Sequence, residues 1–174
     1  MSFQVREAMP SDVAEIHSMI IELAEFEKAV AEVVATEAQL NIALFGGSSI
    51  SGEKAKTPSG APALFAHVID DPDEPGKLAG MAIWFLNYST WEGEHGIYLE
   101  DLYVRPKFRG NGLGKALLKQ LAEICQMRGY TRLQWWVLNW NKTAIDVYRA
   151  IGAMPMDEWV VYRLTGDKLN DLAN

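Results

Sequence analysis

The sequence is short of the residues that most often carry covalent or metal chemistry. Its 174 residues include one cysteine, Cys125, which excludes an intrachain disulfide and suits a reducing compartment. Histidine occurs only at 17, 67 and 95, without metal-ligand spacing, so no metal is expected. Basic residues are outnumbered, 16 Lys and Arg against 23 Asp and Glu, for a net charge of −7. That balance argues against nucleic acid, whose phosphates need a basic face, and favours a cationic partner. No apolar run approaches the length of a membrane span. Residues 1–10 lack the basic start and apolar run of an export signal. The expectation is a cytoplasmic protein with no membrane or nucleic-acid partner. No segment repeats, and 174 residues with 49% hydrophobic content suit one domain over 1–174.

What is present centres on residues 97–128. Ile97 to Val104 is an apolar strand interrupted by Glu100 and Asp101. Arg105-Pro106-Lys107-Phe108 follows, then Arg109-Gly110-Asn111-Gly112-Leu113-Gly114. Lys115 to Arg128 reads as a helix, with Leu113, Leu117, Leu118, Leu121, Ile124 and Cys125 at helical spacing. Glycines in a strand-to-helix turn permit positive φ and close backbone approach. The uncapped N–H groups of the helix behind them favour an anion such as phosphate. Arg109 adds a cation. The turn meets only half of the dinucleotide fingerprint, and no Gly-Lys-Ser/Thr triplet is present. Cys125, on an apolar helix stripe, reads as a buried thiol.

The rest of the chain reads as short alternating elements. Phe3 to Arg6 is a strand. A helix opens at Pro10-Ser11-Asp12, with Asp12 and Glu15 resembling a capping box, and runs to about Lys28 on Val13, Ile16, Ile20 and Leu23. Thr36 and Gln39 form a stricter box for a helix ending at Gly46-Gly47. Residues 46–61 read as a surface loop. Ala63–Ile69 and Lys77–Tyr88 read as an antiparallel hairpin around an acidic turn. Leu133 to Leu138 is a buried strand by its aromatic and β-branched content. Asn141 N-caps a helix from Lys142 to Ala150, stopped by Gly152. Trp159 to Leu164 is a last strand, and Asp167 to Leu172 a closing helix. The expected fold class is therefore α/β (α+β), a mixed and mostly antiparallel sheet with one parallel crossover.

The pattern Arg109-x-x-Gly112-x-Gly114 between strand and helix resembles the acyl-CoA loop of the GNAT superfamily of N-acetyltransferases. Tyr98-Leu99-Glu100-Asp101 before it, and Val137-Leu138-Asn139-Trp140-Asn141 with Tyr148 after it, are similar to the diamine (spermidine/spermine) N-acetyltransferase branch. Glu22 to Glu27 sits where that branch has a similar helix end. The resemblance covers nearly the whole chain and is weakest in 46–61 and after Met154.

The resemblance implies the GNAT fold, acetyl-CoA as co-substrate, a small cationic amine as acceptor, and a homodimer. Acetyl-CoA would lie between two splayed strands, its pantetheine on the backbone of Leu102, Tyr103 and Val104. Its diphosphate would rest on Arg109, Gly110, Asn111, Gly112, Leu113, Gly114 and Lys115. Asn141, Lys142, Thr143 and Ala144 would touch it from the following helix. Glu100 holds the position of a general base, acting directly or through water, and Tyr148 that of the acid protonating the thiolate. The amine subsite would draw on Phe26, Glu27, Glu100, Asp101, Gln134, Trp135 and Trp136. Phe26 replaces a tyrosine of some relatives.

The residues themselves weigh these roles. An alkylammonium with a pKa near 10 must lose a proton before it attacks. A carboxylate mid-strand at Glu100 is costly to bury without purpose. Asp101 alternates to the other face unless a bulge intervenes, and either carboxylate has Arg105 as a possible ion-pair partner. By spacing alone Tyr148 is a core tyrosine beside Val147 and Ile151. At least one of Trp135 and Trp136 should face the core. A polyamine, a thialysine-like amino acid or a protein amine would each suit the acceptor role. A non-catalytic acyl-CoA-binding protein would not need Glu100, Asn141 and Tyr148.

Overall fold

The computed structural model describes residues 3–46 and 57–174. Packing divides the chain into two compact units, Met1–Trp136 and Val137–Asn174.

The first unit is a five-stranded sheet in the order β1 (Val5–Glu7), β2 (Phe65–Asp70), β3 (Leu78–Ser89), β4 (Glu94–Val104), β5 (Leu133–Gln134). Every pairing is antiparallel except β4 with β5. Helices α1 (Val13–Glu27) and α2 (Glu37–Phe45) cover one face. There Val13, Ile16, Met19, Leu40 and Leu44 pack with Val68, Met81, Ile83 and Tyr103. Helix α3 (Leu113–Arg128) buries its expected stripe of Leu113, Leu117, Leu118, Leu121 and Cys125. Burial pushes the Cys125 thiol up, away from reactivity.

Local signals shape the helices unevenly. Thr36 and Gln39 form the expected capping box: Gln39 N–H donates to Thr36 Oγ1 at 3.3 Å, and Thr36 N–H to Gln39 Oε1 at 2.9 Å. Asp12 and Glu15 do not. Asp12 instead accepts from Arg6 Nη1 and from Met9 N–H, each at 2.7 Å, while Glu15 pairs with Lys77 and Arg105. Both carboxylates are thus engaged away from the first turn of α1, in charge-assisted bonds stronger than a neutral cap. Most of the expected surface loop, residues 47–56, lies outside the described residues.

Arg105 ties the sheet to α1. It donates to Glu15 Oε2 and to Glu22 Oε1, both at 2.8 Å, and to Leu78 O at 2.9 Å. It therefore partners neither Glu100 nor Asp101 among these hydrogen bonds. Gly96, on β4 opposite Asn87, sits where there is no room for a side chain. A Cβ there would strike Arg132 Cγ, approach Asn87 Oδ1 to 2.6 Å and the Arg132 carbonyl to 3.0 Å. Both side chains are already tethered, Asn87 to Gln134 at 2.8 Å and Arg132 to Tyr88 O at 3.0 Å. We expect Gly96→Ala to destabilise the chain by about 1–3 kcal/mol, read as a lower Tm or urea midpoint. An unchanged midpoint contradicts this.

Two expected strands are corrected. The strand after α3 pairs only over Leu133–Gln134, opposite Ile97 and Tyr98, and not through Leu138. Trp135 is half-buried, and Trp136 is 59% exposed with its ring edge-on to Tyr98. The second unit holds α4 (Lys142–Ala150) and α5 (Asp167–Ala173), but Trp159–Leu164 forms no strand. β-branched and aromatic residues favour strands only where a ladder and a covering face exist. Here Trp159, Val160, Val161 and Tyr162 are exposed. No helix among the described residues is long and apolar enough to cross a membrane.

Candidate active site

The site is built where β4 loses its regular partners. Opposite β3, Leu99 faces Trp84 and Asp101 faces Ile83, so Glu100 is an extra residue in a β-bulge. On the other edge, the parallel pairing with β5 ends at Tyr98. From Glu100 onward β4 has no β5 ladder, as expected of two strands that splay. The backbone of Leu102, Tyr103 and Val104 therefore borders a gap in the sheet, paired by register with β3 alone.

The bulge changes what the two carboxylates do. Glu100 is exposed, contrary to a carboxylate buried mid-strand. The extra residue carries it out of the pleat. Asp101 is the half-buried one, on the face of Ile83 and Tyr103 that α1 covers. Burial, then the negative charges of Glu100 and Glu27, push its carboxyl up to about 6. Glu27, at the end of α1, is itself raised by partial burial. Glu100 from the bulge and Glu27 from the helix end thus both act on Asp101 through their charge. Phe26, beside Glu27, is partly exposed.

Arg109 links this acidic cluster to the glycine turn. Its Nε donates to Val104 O at 2.9 Å. Its guanidinium lies 5.3 Å from the Phe26 ring centre and 5.6 Å from that of Tyr103, within cation–π range. Tyr103 is buried, and its phenol is pushed up by that burial and by Glu22.

The turn itself has the shape of an anion cradle. Gly110 and Gly112 take φ of 80° and 81°, and a Cβ on either would meet nothing within 4 Å. Gly112 is the N-cap of α3 and offers no capping side chain. The first N–H groups of a 16-residue helix are thus left to an outside acceptor. Asn111 braces the turn through Phe108 O at 3.2 Å. Lys115 is exposed on the first turn. The open cradle, with Arg109 beside it, leaves room and N–H donors for an anion.

Other expected site residues divide by unit. Gln134 accepts from Asn87 Nδ2 at 2.8 Å, which ties down the end of β5. In the second unit Asn141 caps α4 through Ala144 N–H at 3.2 Å, while Lys142 and Thr143 are exposed. Tyr148, on the same helix, is half-buried, and burial pushes its phenol up. Sequence reasoning missed Glu22, whose carboxylate supports both Arg105 and Tyr103. Its signals were a polar residue adjoining the apolar face of α1 and its place in the helix end that resembles the family branch. Among the described residues no cluster of His, Cys, Asp and Glu is arranged to hold a metal ion.

Comparison with known proteins gives the family. The Acetyltransferase (GNAT) family profile matches residues 45–153. The chain is 37% identical to a thialysine N-epsilon-acetyltransferase of Bos taurus, over 97% of this chain and 96% of that one. It is 34% identical to the L-ornithine N5-acetyltransferase NATA1 of Arabidopsis thaliana, over 95% and 86% respectively. In structure it is similar to an integron cassette protein from the mobile metagenome of V. cholerae, with TM-score 0.75 and 25% identity over 99% and 98% of the two chains.

Proposed function

Because the chain belongs to the GNAT family of N-acetyltransferases, we propose that it acetylates a primary amine of a small cationic substrate, a thialysine-like amino acid or a diamine. The observation that carries this reading is the half-buried Asp101 of the bulge, on which the charges of Glu100 and Glu27 both act. Such a concentration of negative charge attracts an ammonium group and rejects an anion. Relatives named for thialysine and ornithine acetylation support the same substrate class.

Acetyl-CoA, when bound, supplies the acetyl thioester. The N–H groups of residues 110–115 and the Arg109 guanidinium hold the diphosphate. The backbone of Leu102, Tyr103 and Val104 would align the pantetheine, and the Leu102 N–H would polarise the thioester carbonyl. Glu27 and Glu100 hold the incoming ammonium. Asp101 takes its proton, directly or through a water. We propose this role for Asp101 beside the one the resemblance implies for Glu100, because a carboxyl near 6 is matched to proton acceptance at neutral pH. Glu100 supplies charge from the exposed bulge. The resemblance implies a cofactor-binding role for Asn141 and the first turn of α4 as well. In the role the resemblance implies, Tyr148 gives a proton to the departing sulfur; its phenol is neutral at working pH, and burial makes it a weaker acid.

Thiol release from acetyl-CoA tests the reading across thialysine, lysine, ornithine, putrescine and spermidine. We expect one or more of these amines to accelerate release well above the amine-free rate. If acetyl-CoA binds and no amine accelerates release, the chain is a binding protein. Acceleration by protein lysines alone assigns it to protein acetylation.

A further inference from the structure

β2 and β3 bring a histidine and a tryptophan together on the sheet face opposite α1 and α2. His67 is 5% exposed and Trp84 is 6% exposed. The Trp84 indole N–H donates to His67 Nδ1 at 3.1 Å. The same indole stacks on Phe65, with ring centres 4.5 Å apart. Trp84 is also the β3 residue at the register shift, opposite Leu99, the residue that precedes the bulged Glu100. The hydrogen bond therefore fixes the side chain that borders the bulge.

We propose that His67 is a positioning residue for acetyl transfer: by accepting the Trp84 indole N–H, it holds β3 against the bulge and sets the direction of Glu100 and Asp101. This rests on the reading that the bulge carboxylates handle the amine. Packing alone does not require a polar pair here. Leucine fills similar space, whereas an indole N–H buried without an acceptor is penalised. A directional bond in a low-dielectric interior selects one orientation of a flat ring that apolar contacts leave less defined.

The indole can only donate, so Nδ1 must be unprotonated and the neutral ring carries its proton on Nε2. Burial lowers the pKa of His67, opposed by the charge of Glu7. Glu7 is its register partner on β1, and β3 offers Ala82 and Trp84. Helix α3 reaches this face through Leu117, next to Gly80. Its charged residues Lys115, Lys119 and Arg128 are exposed, and Glu123 pairs with Lys119 at 3.3 Å. Protonation of His67 would set an N–H against the indole N–H and break the bond.

His67→Leu removes the acceptor, whereas His67→Asn offers an amide oxygen near the position of Nδ1. At pH 8 we expect His67→Leu to lower kcat per folded molecule about tenfold, with the KM for acetyl-CoA unchanged. His67→Asn should recover most of that loss. Trp84→Phe keeps an aromatic ring but deletes the donor, and should match His67→Leu if that variant folds poorly. Backbone amide NMR shifts of Glu100 and Asp101 provide a readout that needs no activity. They should move in His67→Leu and return in His67→Asn. The Trp84 indole N–H resonance, assigned through Trp84→Phe, should titrate at low pH in the natural chain and not in His67→Asn. Bulge amides that stay in place in His67→Leu overturn the proposal, even if amine acetylation is confirmed. Moving amides without any amine acetylation leave the positioning geometry intact and reject only the catalytic reading.

Discussion

Replacing Asp101 by asparagine is expected to lower kcat/KM for the amine by about two to four orders of magnitude, the usual contribution of a general base. The acetyl-CoA dissociation constant should stay near that of the natural chain, because Asp101 lies on the α1 face of the sheet and not in the glycine turn. The pH dependence follows from the cause of the shift. A base must be unprotonated, and burial plus the charges of Glu100 and Glu27 push this carboxyl up to about 6. Activity should therefore fall as pH drops through about 6. Glu100→Gln removes one of those charges, so the acid limb should move to lower pH with a smaller loss of rate. If Glu100→Gln abolishes turnover while Asp101→Asn leaves it intact, the roles assigned here are reversed.

The same residue should trade stability for activity. A carboxyl whose folded pKa is raised binds its proton more tightly in the folded state. Its protonation favours folding below the unfolded value of 3.8, and that advantage is lost as pH rises to about 6. Above that pH the ionised Asp101 opposes folding by up to about 3 kcal/mol. Asp101→Asn should thus raise Tm at pH 8, by about 2–4 °C per kcal/mol recovered, and make little difference at pH 4. A variant both inactive and more stable would mark strain kept for function.

The second large effect is expected at the turn. Gly110 and Gly112 hold φ near +80° in open space, so a side chain there meets no atom and the penalty is conformational. Left-handed backbone costs a non-glycine residue about 1–2 kcal/mol, and relief of that strain tilts the amides away from the diphosphate. Gly112→Val should weaken acetyl-CoA binding about tenfold or more, measured by calorimetry, because a β-branched residue tolerates this φ poorly. Gly114 serves as the control. It lies within α3 without positive φ, and a Cβ there would touch only Val104 Cγ2 at an ordinary 3.9 Å. Gly114→Ala should bind the cofactor nearly as well and gain roughly 0.5–1 kcal/mol of helix stability. Equal affinity in Gly112→Val and the natural chain would remove the turn from cofactor binding.

The chain by itself determined those features that neighbours along the backbone can encode. Gly110, Gly112 and the stripe from Leu113 to Cys125 specify turn and helix through φ preference and 3.6-residue periodicity. Thr36 with Gln39, and Asn141 with Ala144, specify helix starts through contacts three residues apart. Family membership was legible for the same reason, since its motif is a local run. Only the tertiary structure decided the features that depend on a partner strand or helix. Whether Glu100 or Asp101 turns inward depends on a one-residue slip between β3 and β4, and period-2 alternation carries no record of a bulge. Arg105 chose Glu15 and Glu22 on α1 over the nearer Glu100 and Asp101, and Arg109 came to rest over Phe26, across long sequence separations. Trp159 to Leu164 has the composition of a strand and no ladder to join. A strand exists only when another segment answers its hydrogen bonds, and no residue can specify that from its own position alone.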